Sequence, residues 1–86
     1  MIKIGCKIML KEEVLDTKGR TLLELVQKED FNVKKLRYGK YIEFDMNQKN
    51  REQALREAKV LAQNLLHNDL IETFQLEVLK ESNENK

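Results

Sequence analysis

The chain is poor in the residues from which catalytic and metal-binding sites are most often built. It has one cysteine, one histidine and no proline or tryptophan among its 86 residues. A single cysteine cannot form an internal disulfide, and one cysteine with one histidine does not make a zinc site. The net charge of +1 gives no overall field that would attract nucleic acid, anionic lipid or an acidic ligand.

Long apolar runs are also missing. No stretch reaches the roughly 18 apolar residues of a membrane span, and residues 1–4 do not begin a secretory signal. The expected location is therefore the cytoplasm. The length of 86 residues predicts one domain, assigned to residues 1–80 with a polar tail over 81–86, and the hydrophobic content of 41% indicates that this domain is globular. A domain this short buries only about 60–65% of its unfolded surface, and oligomerisation is a common remedy.

Motifs for catalysis are absent from the sequence. There is no phosphate-binding or dinucleotide glycine pattern, no serine in a nucleophile elbow and no zinc-protease helix. Cys6 is expected to act as a small hydrophobe in a strand, and His67 as a cation at a helix C-terminus. RNA binding would need exposed aromatics on the central strands, where the sequence has Lys3, Gly5 and Lys7. We expect no catalytic residue, no metal ligand and no nucleic-acid partner.

Hydrophobic periodicity predicts the element order β-α-β-β-α-β. Alternation predicts strands over residues 2–10, 33–38, 41–46 and 73–78. Apolar spacings of three and four predict helices after Asp16 and Asn50, whose side chains suit the N-cap position. The predicted fold class is α+β. The predicted architecture is ferredoxin-like, a four-stranded antiparallel sheet with two helices on one face.

The second and third strands are predicted to form a hairpin whose turn is centred on Lys40. An odd-numbered turn brings apolar residues together and places opposite charges across the strands. This register pairs Leu36 with Phe44, Arg37 with Glu43 and Lys35 with Asp45. The cations near the turn are either a solvated edge that discourages aggregation or a contact for phosphate or an acidic protein surface.

Three segments of the sequence carry motifs of a known family. They are Leu10–Gly19 with L-K-x-x-V-L-D-x-x-G, Arg37–Glu43 with R-x-G-K-x-x-E, and Leu65–Glu72 with L-L-x-N-x-x-I-E. In this order and spacing they resemble the PurS family, the small subunit of bacterial phosphoribosylformylglycinamidine synthase. Together they carry a resemblance over about residues 2–79. The family usually has Pro-Gln at Thr17-Lys18, proline at Asp69 and often glycine near residues 29–31, so the loops of this chain are expected to be less rigid.

The resemblance implies a non-catalytic subunit of an ATP- and glutamine-dependent ligase. Such a subunit assembles with a large synthase subunit (PurL-like) and a glutaminase subunit (PurQ-like) and aids ammonia transfer in de novo purine biosynthesis. The complex uses ATP, Mg and glutamine, with no cofactor expected on this subunit, and the family forms homodimers or tetramers. The resemblance marks Asp16 and Gly19 as a loop and helix-cap motif, and Arg37, Gly39 and Lys40 are the hypothetical partner contact.

A second function shares the same predicted element order. A free-standing regulatory module of the ACT type would bind a small ligand such as an amino acid at the turn between the first strand and first helix. Asp16 and Gly19 lie at that turn. Saturable binding of amino acids to the isolated chain would favour this alternative.

Overall fold

Within residues 1–81, the chain folds in the order β-α-β-α-β, with one strand fewer than the sequence predicts. The computed structural model describes residues 1–81. Its strands are β1 (Ile2–Leu10), β2 (Gly39–Met46) and β3 (Glu72–Glu81). Its helices are α1 (Thr17–Lys28) and α2 (Arg51–Leu61), and α2 continues as a π-helical turn over Ala62–Leu66. The α+β class is confirmed. Apart from Glu81, which ends β3, the predicted tail lies outside the described residues.

The first strand lies at the centre of the sheet. The strand order is β2-β1-β3, and β1 is antiparallel to both neighbours. Ile4, for example, pairs with Phe44 of β2 and with Val78 of β3. Because β1 has a strand on each side and a helix above it, its inward side chains are fully buried. They are Ile2, Ile4, Cys6 and Ile8.

A row of alanines lets α2 approach the sheet closely. Ala54, Ala58 and Ala62 recur at intervals of four, so they share one helical face, and all three are fully buried. They pack with the inward residues of β1 in the two hydrophobic clusters of the core. Half-buried residues of the outer strands complete these clusters, including Phe44 and Leu76.

The predicted strand over residues 33–38 is wrong. This segment has no strand structure and lies against α1. The Phe31 amide donates to the Val26 carbonyl over 3.3 Å, and the Gln27 side chain donates to the Val33 carbonyl over 2.8 Å. Val33 and Leu36 are half-buried while Tyr38 is exposed, a spacing of three that does not fit the alternation expected of a strand.

The predicted hairpin register is therefore also wrong. Within residues 1–81, the pairing partner of β2 is β1. The same chemistry that favoured the hairpin is present in the observed register, because apolar residues face apolar residues and opposite charges lie across the strands. Its pairs include Ile4 with Phe44, Lys3 with Asp45 and Gly5 with Glu43.

Of the two helices in the described part of the chain, α2 covers the sheet and α1 does not. No residue of α1 belongs to either core cluster, and Leu25 on α1 is 55% exposed. The radius of gyration is 16.6 Å, against about 12 Å for a compact chain of this length. Residues 17–38, α1 and the segment packed on it, thus form an arm beside the sheet. No helix within residues 1–81 is both long and apolar enough to cross a bilayer.

Candidate functional site

The five residues singled out from the sequence meet at one end of the sheet. Here β1 ends, α1 and β2 begin, and the loop before β3 closes over the strand ends. Asp16 and Gly19 come from the start of the arm, and Arg37, Gly39 and Lys40 from its end and from β2. We call this region the junction.

Asp16 connects the two ends of the arm. One carboxylate oxygen accepts the Gly19 amide over 2.9 Å and caps α1, and the other accepts the Tyr38 amide over 2.9 Å. The hydrogen bond from the Tyr38 amide, followed by that from the Gly19 amide, holds the pKa of Asp16 below its ordinary value. The positive charge of nearby Arg37 lowers this pKa further. A side chain on Gly19 would collide with this carboxylate. The glycine is therefore needed for the cap to reach both amides.

Arg37 is turned back onto the end of β1. Its guanidinium lies 3.3 Å from a Glu12 carboxylate oxygen and donates to the Leu10 carbonyl. The predicted partner, Glu43, instead faces Gly5 across the sheet, so that pairing is wrong. The Arg37 side chain remains 35% exposed, which leaves part of its donor fork accessible to another molecule.

Gly39 and Lys40 fasten the start of β2 to its surroundings. Gly39 pairs with Met9, and an added Cβ would collide with the Met9 sulfur and lie 2.5 Å from the Ile8 carbonyl oxygen. The Lys40 ammonium lies 3.3 Å from a carboxylate oxygen of Glu72. The glycine permits close strand approach, while the lysine reaches across to β3.

The third motif of the sequence converges on the same place. Glu72 accepts the Asn68 amide over 2.7 Å, and this bond is the first cause of its lowered pKa, with Lys40 adding to it. The Asn68 side chain in turn accepts the Leu70 amide over 3.0 Å. The three motifs are thus parts of one structural unit. Glu12 and Glu72 as ion-pair partners could not be predicted, because they are far in sequence from the cations they meet.

Two concave surfaces adjoin this unit. The first is a half-open cavity of about 310 Å³, which we call the junction cavity. It is lined by Ile8, Leu10, Leu15, Asp16, Thr17, Lys18, Tyr38, Gly39, Lys40 and Glu72. The second is a more apolar groove of about 370 Å³ along α1, lined by Thr17, Lys18, Thr21, Leu22, Leu25 and Tyr38.

Cys6 and His67, the residue types most often found in catalytic and metal sites, both have structural contacts in this fold. Cys6 lies in the core, where burial raises the pKa of its thiol. The His67 ring is held by the Ala62 carbonyl 2.8 Å away and packs edge-on against Phe74. Within residues 1–81, no group of three or more His, Cys, Asp or Glu side chains is arranged to hold a metal ion.

Comparisons with known proteins agree with the three motifs. The family model for PurS, described as phosphoribosylformylglycinamidine (FGAM) synthase, matches residues 3–80. The PurS subunit of that enzyme from Thermotoga maritima is 29% identical over 80 residues, covering 92% of this chain and 98% of the relative.

Solved structures give the same result. PurS from Methanocaldococcus jannaschii is 31% identical, with a TM-score of 0.84 over 95% of this chain and 100% of that one. A chain in the PurLQS structure from Thermotoga maritima is 29% identical, with a TM-score of 0.85 over 91% of this chain and 96% of that one. The family model, the relative and the structures agree over nearly the whole length, and the chain belongs to the PurS family of FGAM synthase.

Proposed function

We propose that this chain is the small, non-catalytic subunit of an FGAM synthase complex in de novo purine biosynthesis. It assembles a PurL-like synthase subunit with a PurQ-like glutaminase subunit and aids the transfer of ammonia between them. ATP, Mg and glutamine are used by the complex, with no cofactor on this subunit, and the complex works in the cytoplasm. Family membership favours this function over the ACT-type alternative.

The observation that carries the proposal is the convergence of the three family motifs on the junction. Their side chains form hydrogen bonds and ion pairs within the chain, and these contacts hold the strand ends and the arm together. Asp16 binds two backbone amides and Lys40 binds Glu72. Such a unit fixes the shape of a surface, which is what an assembly subunit needs. The PurLQS structure, named for the three subunits together, contains a chain similar to this one.

The partner contact is proposed at Arg37, Gly39 and Lys40. Their backbone is held by β1 and by the Asp16 carboxylate, so their side chains are presented on a rigid support. Arg37 and Lys40 are 35% and 53% exposed. A guanidinium with free donors suits a carboxylate or phosphate on the partner.

We also propose that the chain forms a homodimer or tetramer. The arm leaves Leu22 and Leu25 exposed, and β2 has no strand on its outer edge within residues 1–81. In the predicted ferredoxin-like arrangement, a fourth strand and a second helix would cover these surfaces. A second copy is the simplest source of that cover, because exposed strand edges and apolar helix faces favour association.

Affinity capture from the native cytoplasm tests the assembly role. The tagged chain is expected to retain both a PurL-like and a PurQ-like protein, identified by mass spectrometry. Capture should persist when nuclease is added, because no nucleic-acid partner is expected. Recovery of neither subunit, under conditions where the two are present in the lysate, would contradict the proposed function.

A further inference from the structure

The turn before β3 presents a leucine to solvent. We call residues 68–72 the Leu70 turn, because Leu70 lies at its tip. The Leu70 side chain is 82% exposed and is the most exposed large hydrophobic side chain within residues 1–81. Nearly all of its apolar surface is therefore available for burial against another molecule. Single exposed apolar side chains are common on protein surfaces, but Leu70 differs from them in its support and in its neighbours.

The Leu70 turn is fixed by hydrogen bonds on both sides of the leucine. The Leu70 amide donates to the Asn68 side chain over 3.0 Å, and the Asn68 amide donates to the Glu72 carboxylate over 2.7 Å. The Asn68 carbonyl accepts the amides of Ile71 and Glu72 over 3.1 and 2.8 Å. A turn that is already fixed loses little backbone freedom when its tip is buried by a partner, and this favours affinity.

Leu70 belongs to a larger group of exposed apolar side chains at this end of the sheet. The Lys11 amide donates to the Ile71 carbonyl over 2.8 Å, and this bond joins the loop after β1 to the Leu70 turn. That loop contributes the exposed side chain of Leu15, and the turn contributes that of Ile71. We call Leu15, Leu70 and Ile71 the apolar tip. Exposed apolar side chains grouped on adjoining loops, unlike single ones, are typical of a protein interaction site.

Two cations lie beside the apolar tip. Lys40 pairs with Glu72, the last residue of the Leu70 turn. Arg37 donates to the carbonyl of Leu10, which precedes the loop after β1. Both cationic side chains are partly exposed, so they can still reach a carboxylate on another molecule.

These cations disfavour a second copy of this chain as the occupant. In a two-fold contact, the same surface of each copy meets the other, so a contact centred on the apolar tip would bring Arg37 and Lys40 close to their own copies. Like charges at short range repel each other. A different protein, with an apolar pocket and a carboxylate beside it, fits this surface better.

We propose that the apolar tip is the hydrophobic anchor of a partner contact, with Leu70 inserted into an apolar pocket of a different protein subunit. A carboxylate at the rim of that pocket faces Arg37 and Lys40, so the contact has an apolar centre and a polar edge. This role rests on the proposed function, because the partner it requires is another subunit of the FGAM synthase complex.

Affinity measurements with the PurL-like and PurQ-like subunits of the same organism test the anchor. Leu70→Ala should weaken binding of the partner subunit by about tenfold or more. Leu70→Asp should weaken it further, because a carboxylate loses its hydration in an apolar pocket. Leu70→Met keeps an apolar side chain of similar volume and should bind within about threefold of the parent.

Val60→Asp is the matched control. It introduces the same charge at another exposed apolar position, on α2, and should bind as the parent does. The unfolding midpoints of the Leu70 variants should match that of the parent, because the side chain is exposed. A loss of binding in these variants is then a loss of contact and not of fold.

A variant beneath the tip tests whether the turn positions Leu70. Asn68→Ala removes the acceptor of the Leu70 amide and should weaken partner binding by about threefold or more. Asn68→Asp keeps a side-chain oxygen at the same place and should restore binding. Unchanged affinity in Asn68→Ala would overturn the positioning of Leu70 by the turn.

Unchanged affinity of folded Leu70→Ala for both subunits would overturn the anchor, and so would equal losses in Leu70→Asp and Val60→Asp. A shift of Leu70→Asp towards monomer in sedimentation, with subunit binding unchanged, would assign the apolar tip to a second copy and overturn it as well. A parent chain that binds neither subunit contradicts the proposed function itself. When the parent binds and the Leu70 variants bind equally well, the anchor alone is wrong.

Discussion

At the residue scale, Asp16 and Gly19 depend on each other. Alanine normally favours a helix over glycine, because glycine loses more conformational freedom on folding. Here an added methyl would collide with the carboxylate that caps α1 and binds Tyr38. The D-x-x-G spacing thus reflects a steric requirement of the cap, and both residues could be identified from sequence as a cap motif.

A double-mutant cycle tests this dependence. Gly19→Ala alone should lower the free energy of unfolding, because the methyl displaces the Asp16 carboxylate. In the Asp16→Ala background the clash is gone, and Gly19→Ala should instead stabilise the chain by about 0.5–1 kcal/mol. Urea denaturation measures all four proteins. A stabilising Gly19→Ala in the parent would show that the cap does not need the glycine.

The Asp16 carboxylate should also make stability depend on pH. Its folded-state pKa is lowered, mainly by the amides of Tyr38 and Gly19. Its contribution is therefore fully present above its ordinary pKa of about 4 and is lost as pH falls through the lower folded value. The parent should have a higher free energy of unfolding than Asp16→Asn at neutral pH, and this advantage should shrink as pH falls below the ordinary pKa of an aspartate. A difference that stays constant from pH 6 to pH 2.5 would argue against an ionised cap.

At the element scale, local patterns predict β1, β2, β3 and the two helices, but not how the strands pair. Residues 33–38 contain apolar residues at the right density for a strand and are followed by a glycine, so a hairpin with β2 satisfied every local rule. The observed partner of β2 is β1, which lies far earlier in the sequence, with pairs that run from Met9 with Gly39 to Ile2 with Met46. Only the packing of the whole sheet decides that β2 pairs with the central strand β1 and that residues 33–38 pack on α1. Glu12 as partner of Arg37 was unpredictable for the same reason.

The alanine face of α2 is the element most sensitive to size. Ala58 is fully buried against β1, so Ala58→Leu should destabilise the chain by about 1–3 kcal/mol through overpacking. Val60, on the same helix and 53% exposed, offers a matched control. Val60→Leu should change stability by less than about 0.5 kcal/mol. Similar urea midpoints for the two variants would mean that α2 is not closely packed on the sheet.

At the scale of the whole molecule, the arm is what distinguishes this chain from a compact domain. It accounts for the large radius of gyration and for the uncovered leucines on α1. Sedimentation at micromolar concentration should give a mass above the 10.2 kDa of one chain. A monomer at every concentration would contradict the proposed oligomer.

A charge on the arm should weaken that oligomer. Leu25→Glu places a carboxylate on the uncovered face of α1, where burial against a second copy would cost its hydration. Val60→Glu introduces the same charge at a position of similar exposure on α2 and serves as the control. We expect only Leu25→Glu to shift the sedimentation profile towards monomer. Equal profiles for the two variants would exclude the α1 face as the interface.

Arg37 has an internal contact with Glu12 and, as proposed, a contact with a partner subunit. Arg37→Ala should weaken assembly with the other subunits by about 1–3 kcal/mol. Glu12→Ala removes the internal ion pair while leaving the guanidinium, so it separates the internal role of Arg37 from a contact with a partner. If Glu12→Ala reproduces the loss in full, or if Arg37→Ala assembles normally, the contact hypothesis is wrong.

This chain is expected to couple glutaminase to synthase without taking part in the chemistry, and the activity of the reconstituted complex distinguishes that role from a catalytic or a dispensable one. FGAM formation is measured with the PurL-like and PurQ-like subunits of the same organism, with and without this chain, using either glutamine or ammonia as nitrogen donor. We predict that omitting the chain, or replacing it with Arg37→Ala, lowers the glutamine-dependent rate much more than the ammonia-dependent rate, because only glutamine requires a docked glutaminase. Equal glutamine-dependent rates with and without the chain would show that the chain does not couple the two subunits.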